Sequence, residues 1–328
     1  MKKKFLTVLL CCALLLSGCS SQNTTTAEDS SSQTQTLQVG LAASDLFTAR
    51  DLETGYDAET AARITLEGDT ASCDSDAVTI DGSTITITDE GTYVISGTLE
   101  NGMLMVDAED TDKVQIVLNN ASITNETSAA LYVREADKVF LTTAPDSENS
   151  LSSGDSYVAI DDNNIDAAVF SKSDHTLNGN GTLTISSPAG HGVVSKDDLA
   201  VTSGTYTITA ACQGLSGKDS VRIADGTFTI QSGKDGIHGE NTDDSSLGFV
   251  YIANGSFSIQ PEGDGISSSS ILRSITAVSR SKPEEAVPTR RNTLPQSPLA
   301  GAVQPERRPQ IVKPARSPLL LRKTSRTT

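Results

Sequence analysis

Between Gly190 and Ile271 the apolar residues fall into columns. Val193, Leu215, Ile237 and Ile266 each follow a glycine that opens a copy of one short phrase. Leu199, Val221 and Val250 come next in their copies, with Val201, Ile223 and Ile252 two residues on. Leu183, Tyr206, Phe228 and Phe257 make a further column, and Ile185, Ile208, Ile230 and Ile259 another. A spacing of two within a phrase is that of a strand with one buried face. Counting between the Gly-Thr or Gly-Ser pairs at Gly181, Gly204, Gly226 and Gly255 gives periods of 23, 22 and 29, the last enlarged by an insertion from Asn241 to Leu247.

Gly, Asn, Asp and Ser corners separate the strands, and no ten-residue stretch here has helical periodicity. A period in the twenties means coils that bury themselves on one another. The pattern predicts an all-β fold, a right-handed single-stranded parallel β-helix, with identical apolar side chains stacked about 4.8 Å apart. Regular pattern starts at Val78, so residues 78–271 are assigned to the solenoid and 39–77 to an N-terminal cap over its first coil and the entry to it. The outward Thr-x-Thr pairs, Thr182 and Thr184 through Ser256 and Ser258, are the exposed side of one strand column.

Outside the solenoid the composition changes twice. Residues 1–18 hold three lysines and an apolar run, the form of a secretory signal. Leu16-Ser17-Gly18-Cys19 resembles a lipoprotein lipobox, which makes Cys19 the expected lipidation site, with the protein extracellular and touching the membrane only through its lipid. Residues 19–38 are a Ser/Thr-rich stalk. From 272 to 328 the chain holds 8 of its 11 prolines and one of its 25 glycines, and it is read as a disordered basic tail. Either a frameshift or truncation near Ser270, or a genuine tail meeting an anionic wall, accounts for the change.

Charge sharpens this division. Residues 1–271 carry 13 Lys+Arg against 39 Asp+Glu, whereas 272–328 carry 12 against 3. An acidic body disfavours nucleic acid and suits divalent cations or polar carbohydrate. With no Trp and 4% aromatic residues, flat stacking on a crystalline glucan is disfavoured. Cys73 and Cys212 belong to distant coils and are expected unpaired.

Two corners bear candidate chemistry. Asp235 and Asp264 each precede the Gly-Ile that opens a coil, and the loop between them holds Glu240, Asn241, Asp243 and Asp244. Hard oxygen donors gathered at a corner are what calcium takes, although each Asp before Gly is also ordinary turn chemistry. At the other corner Lys172, Lys196 and Lys218 align beside Asp197 and Asp219. They form either a self-neutralising ladder or a row of donors for sugar carboxylates and hydroxyls. His175, His191 and His238 match no metal or catalytic spacing and are assigned to the surface.

Read together, RDLETGYDAETAARITLEGD, GTYVISGTL, LYVREADKVFLTT, HGVVSKDDLAVTSGTYTI, GKDSVRIADGTFTI and SGKDGIHGEN resemble a family of bacterial carbohydrate-binding parallel β-helix proteins, themselves similar to calcium-dependent pectate-type lyases. The resemblance implies a monomeric, calcium-assisted module for acidic or cellulose-like polysaccharide, including uronate chains, with Asp219, Asp235 and Asp264 as metal ligands. Binding rather than catalysis is expected, because Asp197 and Asp219 beside Lys196 and Lys218 would raise the pKa of a lysine base. The alternatives are a lyase using Lys196 or Lys218, and a surface adhesin.

Overall fold

Residues that share a column are paired neighbours. In the computed structural model, which describes residues 46–274 and 279–280, Val193 pairs with Leu215, Leu215 with Ile237 and Ile237 with Ile266, all in parallel register. The columns of Leu199, Val201, Leu183 and Ile185 continue in the same way. Apart from the partly buried Ile266 at the end, these side chains are almost fully buried and form one cluster that runs the length of the stack. The described residues contain no helix and make a β-solenoid of about 7 turns.

Each coil has three strands. The first face is a nine-stranded sheet that includes Thr84–Ile87, Met103–Asp107, Leu131–Glu135, Ala167–Ser171, His191–Ser195, Leu215–Gly217, Ile237–Gly239 and Ile266–Ser268. The second and third faces belong to one sixteen-stranded sheet, because Gly91–Leu99 and Lys113–Asn125 bend around a corner without a break. The first half of Lys113–Asn125 pairs with Lys138–Thr143 and the second with Glu148–Ser153. Asn120, at φ 56°, makes the bend in a conformation that asparagine tolerates.

The glycines that set the period have a steric reason. Gly204, Gly226 and Gly255 take φ of 116°, 146° and 129°, and a Cβ on any of them would meet the ring of the Tyr206, Phe228 or Phe257 that follows. Those rings stack, with centroids 5.3 Å apart for Tyr206–Phe228 and 4.8 Å for Phe228–Phe257. Glycine thus lets the chain turn tightly against an aromatic ladder.

The stretch expected to cap the first coil does two separate things. Ala62–Gly68 stacks in parallel on Gly91–Leu99 and is edged by antiparallel Ala71–Cys73, which opens the solenoid. Residues 46–55 instead run along the outside of the second face as a strap. Arg50 lies 4.5 Å over the Phe140 ring and donates to Gln115 Oε1 at 2.9 Å. Thr176 Oγ1 donates to Asp51 Oδ1 at 2.6 Å, Thr202 Oγ1 donates to the Asp51 carbonyl at 2.7 Å, and Phe47 meets Tyr251. Polar residues on the outer side of this face are therefore buried: Gln115, Thr142, Thr176, Asn178 and Thr202.

Strand pairing also continues past Ile271. Leu272–Ser274 pairs with Phe249–Ile252 and Ser279–Arg280 with Ser256–Pro261. One further expectation is corrected. His175 is not at the surface: it is fully buried between Val139 and Leu199 in the second face. Cys73 and Cys212 are free thiols, as expected. The signal, the stalk, Cys19 and the greater part of the basic tail lie outside the described residues.

Candidate functional site

The outer surface of the first face gathers most of the candidate residues, because its strands are three to five residues long and bring both flanking corners close. Along one flank the peptide N–H groups of Lys172, Lys196, Lys218 and Glu240 each donate to a carbonyl one coil earlier, which sets these residues in a row. Along the other flank His191, Gln213, Asp235 and Asp264 stand in register, each just before the glycine that opens its strand. His238 joins the flanks, with Nδ1 2.9 Å from Asp235 Oδ2 and Nε2 3.2 Å from Glu240 Oε2.

The lysine row is not neutralised by the aspartates beside it. Lys218 pairs with Asp243 at 3.1 Å, and Lys196 sits 5.2 Å from the Phe170 ring centroid. Neither Lys172 nor Lys196 has an ion-pair partner among the described residues. Asp219 instead accepts from Asn241 Nδ2 at 2.8 Å. Burial, and then the carboxylates of Asp174, Asp219 and Asp198, push Asp197 up to about 6. Part of this ladder therefore takes up a proton as the solution is acidified through about pH 6, which lowers the negative charge facing the lysines.

The five expected calcium ligands are shared between the two flanks. Asp235 and Asp264 lie on one, where the Asp264 N–H donates to Asp235 Oδ1 at 2.8 Å. Asp219, Glu240 and Asp243 lie on the other, with Asp243 held by Lys218. Among the described residues no group of three or more His, Cys, Asp or Glu side chains is placed to hold a metal ion.

Reading the sequence for spacing missed His191, Gln213 and His238. The signal was present, since His191-Gly192-Val193 and Gln213-Gly214-Leu215 occupy the place of Asp235-Gly236-Ile237. His191 Nδ1, Gln213 Oε1 and Asp166 Oδ1 are buried without a protein partner. The three atoms lie in adjacent coils of this flank. Burial pushes the His191 imidazole down and Asp166 draws it back, while Lys234 and Lys196 add to the lowering.

Known proteins resemble this chain in sequence and in fold. Residues 81–281 match the family described as carbohydrate-binding domain-containing protein. A relative of that description from Acetivibrio thermocellus is 34% identical over 152 residues, 45% of this chain and 53% of the relative, so the chain spans about half of that protein's length. The solved structure of a polysaccharide lyase-like protein from C. thermocellum, a gadolinium derivative, superposes with a TM-score of 0.63 at 29% identity, over 66% of this chain and 98% of the other. With a match that covers most of the chain and a solenoid of the same form, this protein belongs to the carbohydrate-binding domain-containing family.

Proposed function

We propose that the chain is an extracellular polysaccharide-binding protein, held at the membrane by lipid on Cys19, and that it reads acidic glycan along the outer first face. The observation that carries the reading is the row of Lys172, Lys196 and Lys218, one residue per coil, left largely unpaired by the neighbouring aspartates. A row with the strand spacing of about 4.8 Å offers successive point charges to successive units of an extended polyanion. Lysine serves such a ligand as a mobile ammonium donor rather than a fixed fork. His191 and Gln213 on the opposite flank, each with a ring or amide atom that has no protein partner, supply hydrogen-bonding groups for hydroxyls.

Migration through native gels cast with polygalacturonate tests this. Retardation of the wild type, lost in Lys172→Ala/Lys196→Ala, supports the reading. Free migration of a folded wild type overturns it, and release of unsaturated uronides during incubation overturns binding without catalysis. The same gels settle the role of calcium: retardation that survives chelator assigns affinity to the lysine row, and retardation that needs calcium assigns a bridging ion.

A further inference from the structure

The first face has a second, chemically different half. The loop of residues 154–166 crosses it, tied down by Tyr132 Oη donating to Asp161 Oδ2 at 2.6 Å and by Tyr157 Oη, 2.8 Å from Ser187 Oγ. Beyond the loop, toward the N-terminal coils, lies an open groove of about 370 Å³. Its apolar surface comes from Met103, Met105 and Ile160, and its polar rim includes Asn101, Thr127 and Ser128.

We infer that this groove is a second saccharide subsite, for an uncharged pyranose. Three observations support the assignment. No ionisable side chain lines the groove, in a chain of net charge −17 whose neighbouring depression is lined by Asp107, Glu109, Asp110, Arg134 and Glu135. A pyranose ring presents C–H patches on its faces and hydroxyls at its edge, and two thioethers with an isoleucine beside amides and hydroxyls match both. Its volume falls within the range of small-molecule sites, about 300–1,000 Å³.

The groove is also prepared for a ligand. Ile160 is 48% exposed, yet it is held between the anchored Asp161 and the Val158 N–H that donates to the Thr127 carbonyl at 2.8 Å. A fixed apolar wall loses little freedom on binding. Ser128 is 3% exposed, and its buried hydroxyl has no protein partner. An orphaned hydroxyl at the edge of a groove is satisfied by a ligand or solvent hydroxyl.

The inference rests on the polysaccharide-binding reading, and two gels separate them. The full chain is run through hydroxyethyl cellulose, which is neutral, and through polygalacturonate. Ile160→Asp places a charge in the groove from an exposed position, and Asn101→Asp keeps the acceptor that receives the Glu126 N–H at 3.1 Å. Each is expected to weaken retardation by the neutral glucan about tenfold, the effect of an unpaired charge at an apolar contact, and to leave polygalacturonate unchanged. Lys172→Ala/Lys196→Ala is expected to do the reverse. Retardation by polygalacturonate alone, neutral retardation indifferent to both groove variants, or loss in both gels overturns the groove and leaves the proposed function standing. Retardation of the wild type in neither gel overturns both.

Discussion

Lys138 Nζ lies 2.9 Å from Asp51 Oδ1, with both side chains buried where the strap crosses the second face. Asp51→Ala leaves that ammonium buried without its main partner. Loss of one member of such a pair costs about 3–5 kcal/mol, read as a lower urea midpoint. Burial alone would raise Asp51, but bonds from Lys138, Thr176 and Thr48 hold it at about 2, below the usual 3.8. A depressed carboxylate contributes stability above its unfolded pKa and loses it as pH falls through the folded value. The contribution of Asp51 should therefore fade between about pH 4 and 2, and the midpoints of wild type and Asp51→Asn should converge across that window.

His175 gives a slope in a different range. Complete burial, with Lys138 nearby, pushes it down to about 3, and neither ring nitrogen has a protein partner. The unfolded chain takes up a proton through the ordinary value of 6.5, while the folded chain resists. Stability should fall as the solution is acidified from about pH 6.5 toward 3. His175→Leu, matching Leu199 beside it, should remove that slope and raise stability by about 1–3 kcal/mol, the cost of an unsatisfied buried polar group. Urea midpoints at pH 7.5 and 5 check both statements.

Asp197 should act in the opposite sense. Its raised folded value, about 6, means that the folded state holds the proton more tightly than the unfolded chain. Stability from this group is present below the unfolded value and is lost as pH rises through 6. Asp197→Asn should therefore stabilise the protein at pH 7.5 and have no effect below about pH 4. In binding, retardation by polygalacturonate should strengthen in the wild type from pH 7 to 5 as the carboxylate beside the lysines is neutralised. The Asn variant should bind more strongly than the wild type at pH 7 and about equally at pH 5.

The aromatic ladder makes a packing prediction. Phe228 is 1% exposed between Tyr206 and Phe257, and Phe228→Ala should cost about 3–5 kcal/mol. Gly226→Ala, which sets a methyl against the Phe228 ring at a φ of 146°, should cost about 1–3 kcal/mol from strain. Thermal unfolding of both variants measures these losses.

The columns were legible because a solenoid repeats its environment: Val193, Leu215 and Ile237 meet the same neighbours, so the same residue class returns at the same offset. The alignment of Lys172, Lys196 and Lys218 was legible for the same reason. Contacts that break the repeat were not. Nothing in the string ties Asp51 to Thr202, 151 residues away, and the outward Thr176 and Asn178 look like exposed strand positions until the strap covers them. His175 was misplaced because its identity was weighed before its register, which puts it in the column of Leu199. The residues of the expected calcium corner, close in sequence, are distributed by the short first-face strand over its two flanks.

The strap changes what kind of folding unit this solenoid is. A bare stack of coils is held by nearest neighbours only, so its ends can melt while the middle persists. Residues 46–55 touch the coil of Gln115 at one end and that of Tyr251 at the other, bonding to Asn178 and Thr202 between them. Fraying of any of these coils must break contacts to a segment that the others also hold. The strap thereby couples coils that never meet, and favours their melting together over fraying one by one.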